Sequence, residues 1–130
     1  MNWIAKKMDE KQFSFDSYSL IELIKGNVNY KNYVNIKMVT TKLNLFEVCH
    51  FLIRDFGEEK AREYMKKYYD SIIDFDSEIV LTAAKFKLNR RKERLSMVDC
   101  IGYTLAKNLG IKFLTGDEKF KDLENVEYVK

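Results

Sequence analysis

A three-layer α/β fold, with a mostly parallel sheet flanked by helices, is what this sequence predicts. Short strand-type apolar runs alternate with stretches of helical periodicity along the chain. Glycines at 26, 57 and 110 close three of those helical stretches. Four acids, Asp16, Glu47, Asp99 and Asp117, stand where strands end or helices begin, positions at which a charge has no packing role. The first two observations give the alternation that builds parallel sheets covered on both faces. The third suggests where a ligand binds.

Phe13-Ser14-Phe15 alternates into Asp16 and reads as the opening strand. Tyr18 to Lys25 is helical and is capped by Gly26. After an Asn-rich loop around residues 27–32, Tyr33 to Val39 alternates as a second strand. Leu45, Val48, Cys49, Leu52, Ile53 and Phe56 keep the helical period to Gly57, and a charged helix follows from Glu58 to about Tyr69. Ile72 to Phe75 has the pattern of a short strand. Ser77 is placed to cap a helix to about Leu88, and Ser96 to open another that Gly110 ends. Ile111 to Thr115 is a strand of the buried type, Asp117 to Lys121 a turn or short helix, and Val126 to Val129 the last strand. This divides the chain into one domain over 13–130 and an N-terminal extension over 1–12.

The 130 residues suffice for a single core, with 46% apolar and 33% charged. Proline is absent and there is no low-complexity segment. No apolar run approaches the roughly 18–20 residues of a membrane-spanning helix, and the N-terminus lacks the apolar stretch of a signal peptide. A cytoplasmic protein is expected. Cys49 and Cys100 both fall inside helical patterns and are expected as reduced core thiols. Two distant cysteines and one histidine offer no coherent zinc spacing. Glu47 and His50 form a Glu-x-x-His pair, but di-iron bundles need that pair twice.

The net charge of +3 is uneven. Lys85, Lys87, Arg90, Arg91, Lys92 and Arg94 stand against Glu93 alone, making that segment +5 and the remainder −2. Such a stretch is either a solvated loop or a contact for a phosphate-bearing partner. It leads directly into the Asp99 helix, so Arg90, Arg91, Lys92 and Arg94 are the candidate contacts for such a partner's phosphates.

Singly, each acid has a structural explanation. Asp16 suits an N-cap, Asp117 a turn, and Asn44 to Glu47 and Ser96 to Asp99 each fit a capping box. Together they point elsewhere. In a parallel α/β sheet, helix N-termini collect at the carboxyl ends of the strands, where ligands bind. All four acids belong to that edge. Four carboxylates in one pocket repel and hold protons unless a cation is present, and an all-oxygen donor set suits Mg²⁺ or Mn²⁺.

The stretches carrying these acids resemble the motifs of PIN-domain nucleases. Phe15-Asp16-Ser17-Tyr18 is similar to their first strand and acid, and Lys42-Leu43-Asn44-Leu45-Phe46-Glu47 to the second-acid helix. Leu95-Ser96-Met97-Val98-Asp99 resembles the third-acid helix, and Leu114-Thr115-Gly116-Asp117 with Asn125-Val126-Glu127 the fourth-acid loop and last strand. The resemblance runs from about residue 12 to 130, nearest to the VapC-type toxins in size and order.

It implies an Mg²⁺- or Mn²⁺-dependent ribonuclease, with Asp16, Glu47, Asp99 and Asp117 as metal-binding acids. Ser17 and Thr115 are implied as hydroxyls that orient a carboxylate or water. Asn44 and Ser96 match polar positions beside the pocket, which capping explains equally well. An antitoxin partner and a homodimer are implied in the same way. Tyr18 and Tyr103 are candidates to stack a base, and Gly102 suggests a close approach of substrate or of another helix.

Other classes remain open. A ribonuclease that works outside a toxin–antitoxin pair shares every feature above. A phospho-acceptor domain wants paired acids after the first strand, where only Asp16 stands. A non-catalytic RNA-binding module makes the acids a liability, and a protein-interaction domain leaves them without a purpose.

Overall fold

Phe13 and Phe15 project to one side of a strand and Ser14 to the other, and that alternation sets how the molecule is layered. The computed structural model describes residues 11–130. Strand β1 covers Gln12–Phe15, β2 Lys37–Val39, β3 Lys112–Thr115 and β4 Val126–Tyr128. Their order is β2-β1-β3-β4, with every pairing parallel. The chain steps from β1 to β2 on one side, then returns past β1 to lay β3 on the other. The gap between β1 and β3 is therefore the switch point, where an open parallel sheet leaves a crevice at its carboxyl edge.

Helices α1 (Ser17–Ile24), α2 (Lys42–Phe56), α3 (Glu58–Tyr68), α4 (Ser77–Asn89) and α5 (Met97–Leu109) cover the two faces. One core gathers Phe13, Phe15, Leu20, Leu45, Val48, Leu52 and Leu114. The other gathers Ile79, Ala83, Ile101, Tyr103, Phe113 and Phe120. Neighbours Phe113 and Leu114 thus serve opposite faces of one strand. The α/β three-layer architecture expected from the sequence is the one observed.

Gly102 marks how closely α5 sits on the sheet. A Cβ there would meet Phe113 Cε1 at 3.0 Å, so the missing side chain serves helix packing. Cys49 and Cys100 are free, buried thiols in separate cores.

Several boundaries differ from expectation. The second strand is only Lys37–Val39, because Val28–Tyr33 forms a 3-10 stretch. There the Tyr33 phenol donates to Glu127 Oε2 at 2.6 Å and the Tyr30 phenol to the Val129 carbonyl. Tertiary hydrogen bonds outweigh a local β pattern. Ile72–Phe75 is no strand; a single bridge joins Ile72 to Thr40, with Ile73 N–H donating to the Thr40 carbonyl at 2.9 Å.

Thr41, not Asn44, caps α2, and Asp76, not Ser77, caps α4. The earlier start of α2 puts Glu47 in its second turn rather than its first. Strand β1 begins at Gln12, so it takes in the last residue of the expected N-terminal extension, and residues 1–10 of that extension lie outside the described residues.

Candidate active site

Asp16 follows β1 directly, with extended backbone angles of φ −81° and ψ 178° that make it the N-cap of α1. The Ser19 backbone N–H donates to its Oδ1 at 2.7 Å, and the Thr115 hydroxyl, from the end of β3, donates to its Oδ2. The side chain is 1% exposed. Burial, and then the charge of Asp99, push its pKa from 3.8 up to about 7, against the pull of those hydrogen bonds.

Glu47 projects from the exposed side of α2 and is held by a relay. The Thr41 hydroxyl donates to Asn44 Oδ1 at 2.7 Å, Asn44 Nδ2 to Ser17 Oγ at 3.0 Å, and Ser17 Oγ to Glu47 Oε1. Because Thr41 takes over the cap, the Asn44 amide is free to cross to α1. Asp99 lies in the first turn of α5, where its backbone N–H donates to Ser96 Oγ at 3.0 Å. Burial and the charges of Asp117 and Glu47 raise its pKa to about 6, opposed by Ser96 and Lys119.

Asp117 caps the 3-10 turn Glu118–Phe120. Its Oδ1 accepts from Lys119 N–H at 3.0 Å, and its own N–H donates to Thr115 Oγ1 at 3.0 Å. Thr115 therefore couples the first and fourth acids through one oxygen.

All four carboxylates line one open cleft of ≈ 620 Å³, together with Ser17, Tyr18, Ser96, Gly116, Glu118, Lys119 and Lys130. The donor chemistry suits a hard divalent cation: carboxylate oxygens, mutual repulsion and no thiol or imidazole. Among the described residues, no three such side chains are yet arranged to hold an ion. Both oxygens of Asp16 and one each of Glu47 and Asp117 accept hydrogen bonds instead.

The predicted basic contacts fall beside this cleft rather than in it. Arg90 pairs with Glu93 at 3.1 Å, Arg91 and Lys92 form the next 3-10 turn, and Arg94 adopts a left-handed conformation at φ 55°. The link is Lys119, whose Nζ donates to the Arg94 carbonyl at 3.1 Å. Among the described residues, the cations that line the cleft are Lys119 and Lys130, neither of which belongs to the basic run at 85–94. Lys119 was findable, two residues past Asp117. Lys130 was not, because only the parallel docking of β4 brings it there.

Tyr103 is no stacking residue: it is 2% exposed, packs in the core and donates to the Glu124 carbonyl at 2.8 Å. Tyr18 does line the cleft. His50 is exposed and not among the lining residues.

Residues 14–126 match the sequence model of the PIN domain. No curated protein sequence matches the chain. Among solved structures, a toxin–antitoxin complex from Klebsiella pneumoniae superposes with a TM-score of 0.71 at 18% identity, covering 88% of this chain and 95% of that one. VapC20 of Mycobacterium tuberculosis, described as a sarcin–ricin loop cleaving toxin, gives 0.73 at 15% identity over 91% and 99%. DNA-bound VapBC from Salmonella typhimurium gives 0.69 at 15% over 91% and 96%. At these identities the likeness is one of fold.

Proposed function

This chain belongs to the PIN-domain family, and from that premise we propose that it is a metal-dependent ribonuclease and the toxin of a toxin–antitoxin pair. The observation that carries this reading is the convergence of Asp16, Glu47, Asp99 and Asp117, from four separate segments, on one cleft at the switch point of the sheet. The four acids would hold Mg²⁺ or Mn²⁺. Such an ion, when bound, supplies a water of lowered pKa and neutralises charge on the phosphate.

The chain's own residues prepare the cleft for that chemistry. Thr115 and Ser19 fix the Asp16 carboxylate, and the Thr41–Asn44–Ser17 relay fixes Glu47. Ser96 pins the first turn of α5 and with it Asp99. Lys119 offsets part of the negative charge near Asp99 and tethers the 90–94 loop beside the cleft, which supports Arg90, Arg91, Lys92 and Arg94 as contacts for an RNA backbone. Without a cation, burial holds the Asp16 pKa up at about 7; a divalent ion held there would favour its ionised form.

Relatives of the same fold are toxin–antitoxin complexes, which supports an antitoxin partner here, and a homodimer belongs to the same reading. Among the described residues no helix is long and apolar enough to cross a membrane, in keeping with a protein that meets its RNA in the cytoplasm. A binding module without catalysis has no use for two carboxylates individually held by hydroxyls and amides.

The test is cleavage of a mixed structured RNA pool with Mn²⁺ or Mg²⁺, with EDTA, and by Asp99→Asn. Cutting that needs metal and disappears in the variant is expected. A folded protein that binds no divalent cation, or cutting indifferent to EDTA, overturns the reading.

A further inference from the structure

Among the described residues that line the acidic cleft, only Tyr18 is aromatic. Its ring lies so close over Gly116 that a Cβ there would fall 2.0 Å from Cε1 and 2.6 Å from Cδ1 and Cζ. The angles of Gly116 are not what demand glycine, since its φ is outside the left-handed range; the ring is. One side of Tyr18 packs on the edge of the core and the rest stays partly exposed to the cleft. Lys119 and Lys130 line the same cleft; Lys130 Nζ pairs with Glu118 Oε1 at 2.8 Å, Lys119 Nζ donates to the Arg94 carbonyl at 3.1 Å, and Lys130 acts on the charge of the Tyr18 hydroxyl. The cleft therefore has two chemistries: a floor of carboxylates, and a flank of one flat ring with two ammonium groups.

A ring next to cations is the combination that takes a nucleotide, base on the ring and phosphate on the ammonium. Tyr18 stands two residues from Asp16, so a base seated on it adjoins whatever phosphate lies over the acids. A base inside a duplex has both faces covered by its neighbours and cannot be received this way. We infer that Tyr18, backed by Gly116, is a stacking platform for one unpaired base, with Lys119 and Lys130 on the same nucleotide's phosphate. This deepens the nuclease reading and rests on it for the identity of the ligand.

The test uses short single-stranded RNAs carrying 2-aminopurine at successive positions, with Ca²⁺ present to balance the carboxylates. Stacking quenches that base's fluorescence. We expect one position to be quenched by wild type and by Tyr18→Trp. Tyr18→Leu, checked for folding by circular dichroism, loses the quenching and binds at least about fivefold more weakly. Lys130→Gln lowers the salt slope by about 0.7.

A folded Tyr18→Leu with unchanged binding and quenching overturns the platform. So does a wild type that binds no RNA, quenches no position, or holds a blunt duplex equally well; these three need no variant. Cleavage in Mn²⁺, run alongside, separates the two readings. Tyr18-dependent quenching without any cutting removes the nuclease and keeps the platform. Asp99-dependent cutting with no Tyr18 effect does the reverse.

Discussion

The hydroxyl of Thr115 donates to Oδ2 of Asp16, joining residues 99 positions apart and locking the ends of β1 and β3 together. That bond favours the ionised carboxylate, against burial and Asp99. Thr115→Val removes it and strands the Asp117 N–H as well. A stability loss of about 1–3 kcal/mol is expected by urea titration. The acid limb of the activity–pH profile should also move to higher pH, because Asp16 then holds its proton more tightly.

Asp16 and Asp99 make the metal-free protein sensitive to base. Their folded pKa values, about 7 and about 6, lie above the 3.8 of an unfolded aspartate. The folded state thus binds protons more tightly than the unfolded one. Their contribution to stability is complete below pH about 4 and is lost as pH rises through 6 to 7. In EDTA, the melting temperature of Asp16→Asn, which keeps a capping oxygen for Ser19 N–H, should gain on wild type as pH goes from 5 to 8. Saturating Mg²⁺ should close that gap by stabilising wild type alone. A constant difference across this range would contradict the assignment.

The Asn44 relay reaches Glu47 from a buried amide, by way of Ser17 in the cleft wall. Asn44→Ala leaves Ser17 without its donor, so Glu47 loses its fixed orientation. A 10- to 100-fold loss of metal affinity or activity is the usual size of such an effect, measured by Mn²⁺ titration and RNA cleavage. The Thr41 cap is retained, so the melting temperature should fall far less than activity.

Gly116→Ala collides with Tyr18 rather than with backbone. The ring must leave its seat, at a cost of roughly 1–3 kcal/mol. Gly116→Ala combined with Tyr18→Ala should recover stability relative to Gly116→Ala alone, because the obstruction is gone.

Acids elsewhere provide the contrast. Asp74→Asn and Asp122→Asn, both exposed, should change neither cleavage nor melting. Asp76→Ala should keep activity but lose about 1 kcal/mol, because its Oδ1 accepts the Ile79 N–H at 3.1 Å at the start of α4.

The sheet and its acids were legible because they obey local rules. Helices ended by Gly57 and Gly110 and strands of period two are written residue by residue, and Asp16 and Asp99 follow from where those elements meet. What escaped were choices made by tertiary contact. Thr41 and Asn44 can each cap a helix, and only the position of Ser17 across the cleft decides that Asn44 is needed elsewhere. Tyr33 reads as strand until the distant Glu127 claims its phenol. Lys130 reaches the cleft through the pairing of β3 with β4, a partnership that pattern alone does not specify. The ring of Tyr18 over Gly116 was equally hidden, since nothing in a Thr-Gly-Asp turn announces an aromatic neighbour.

The strand order β2-β1-β3-β4 also governs timing. Asp16 directly follows the first strand laid down, yet its carboxylate meets Thr115 only when the third arrives, after some hundred residues have left the ribosome. A half-made chain therefore has no cleft, and under the proposed function it could not yet cut RNA. Under the proposed toxin function, activity would begin only when synthesis is nearly done, which is also the earliest moment at which an antitoxin would have a finished surface to grip.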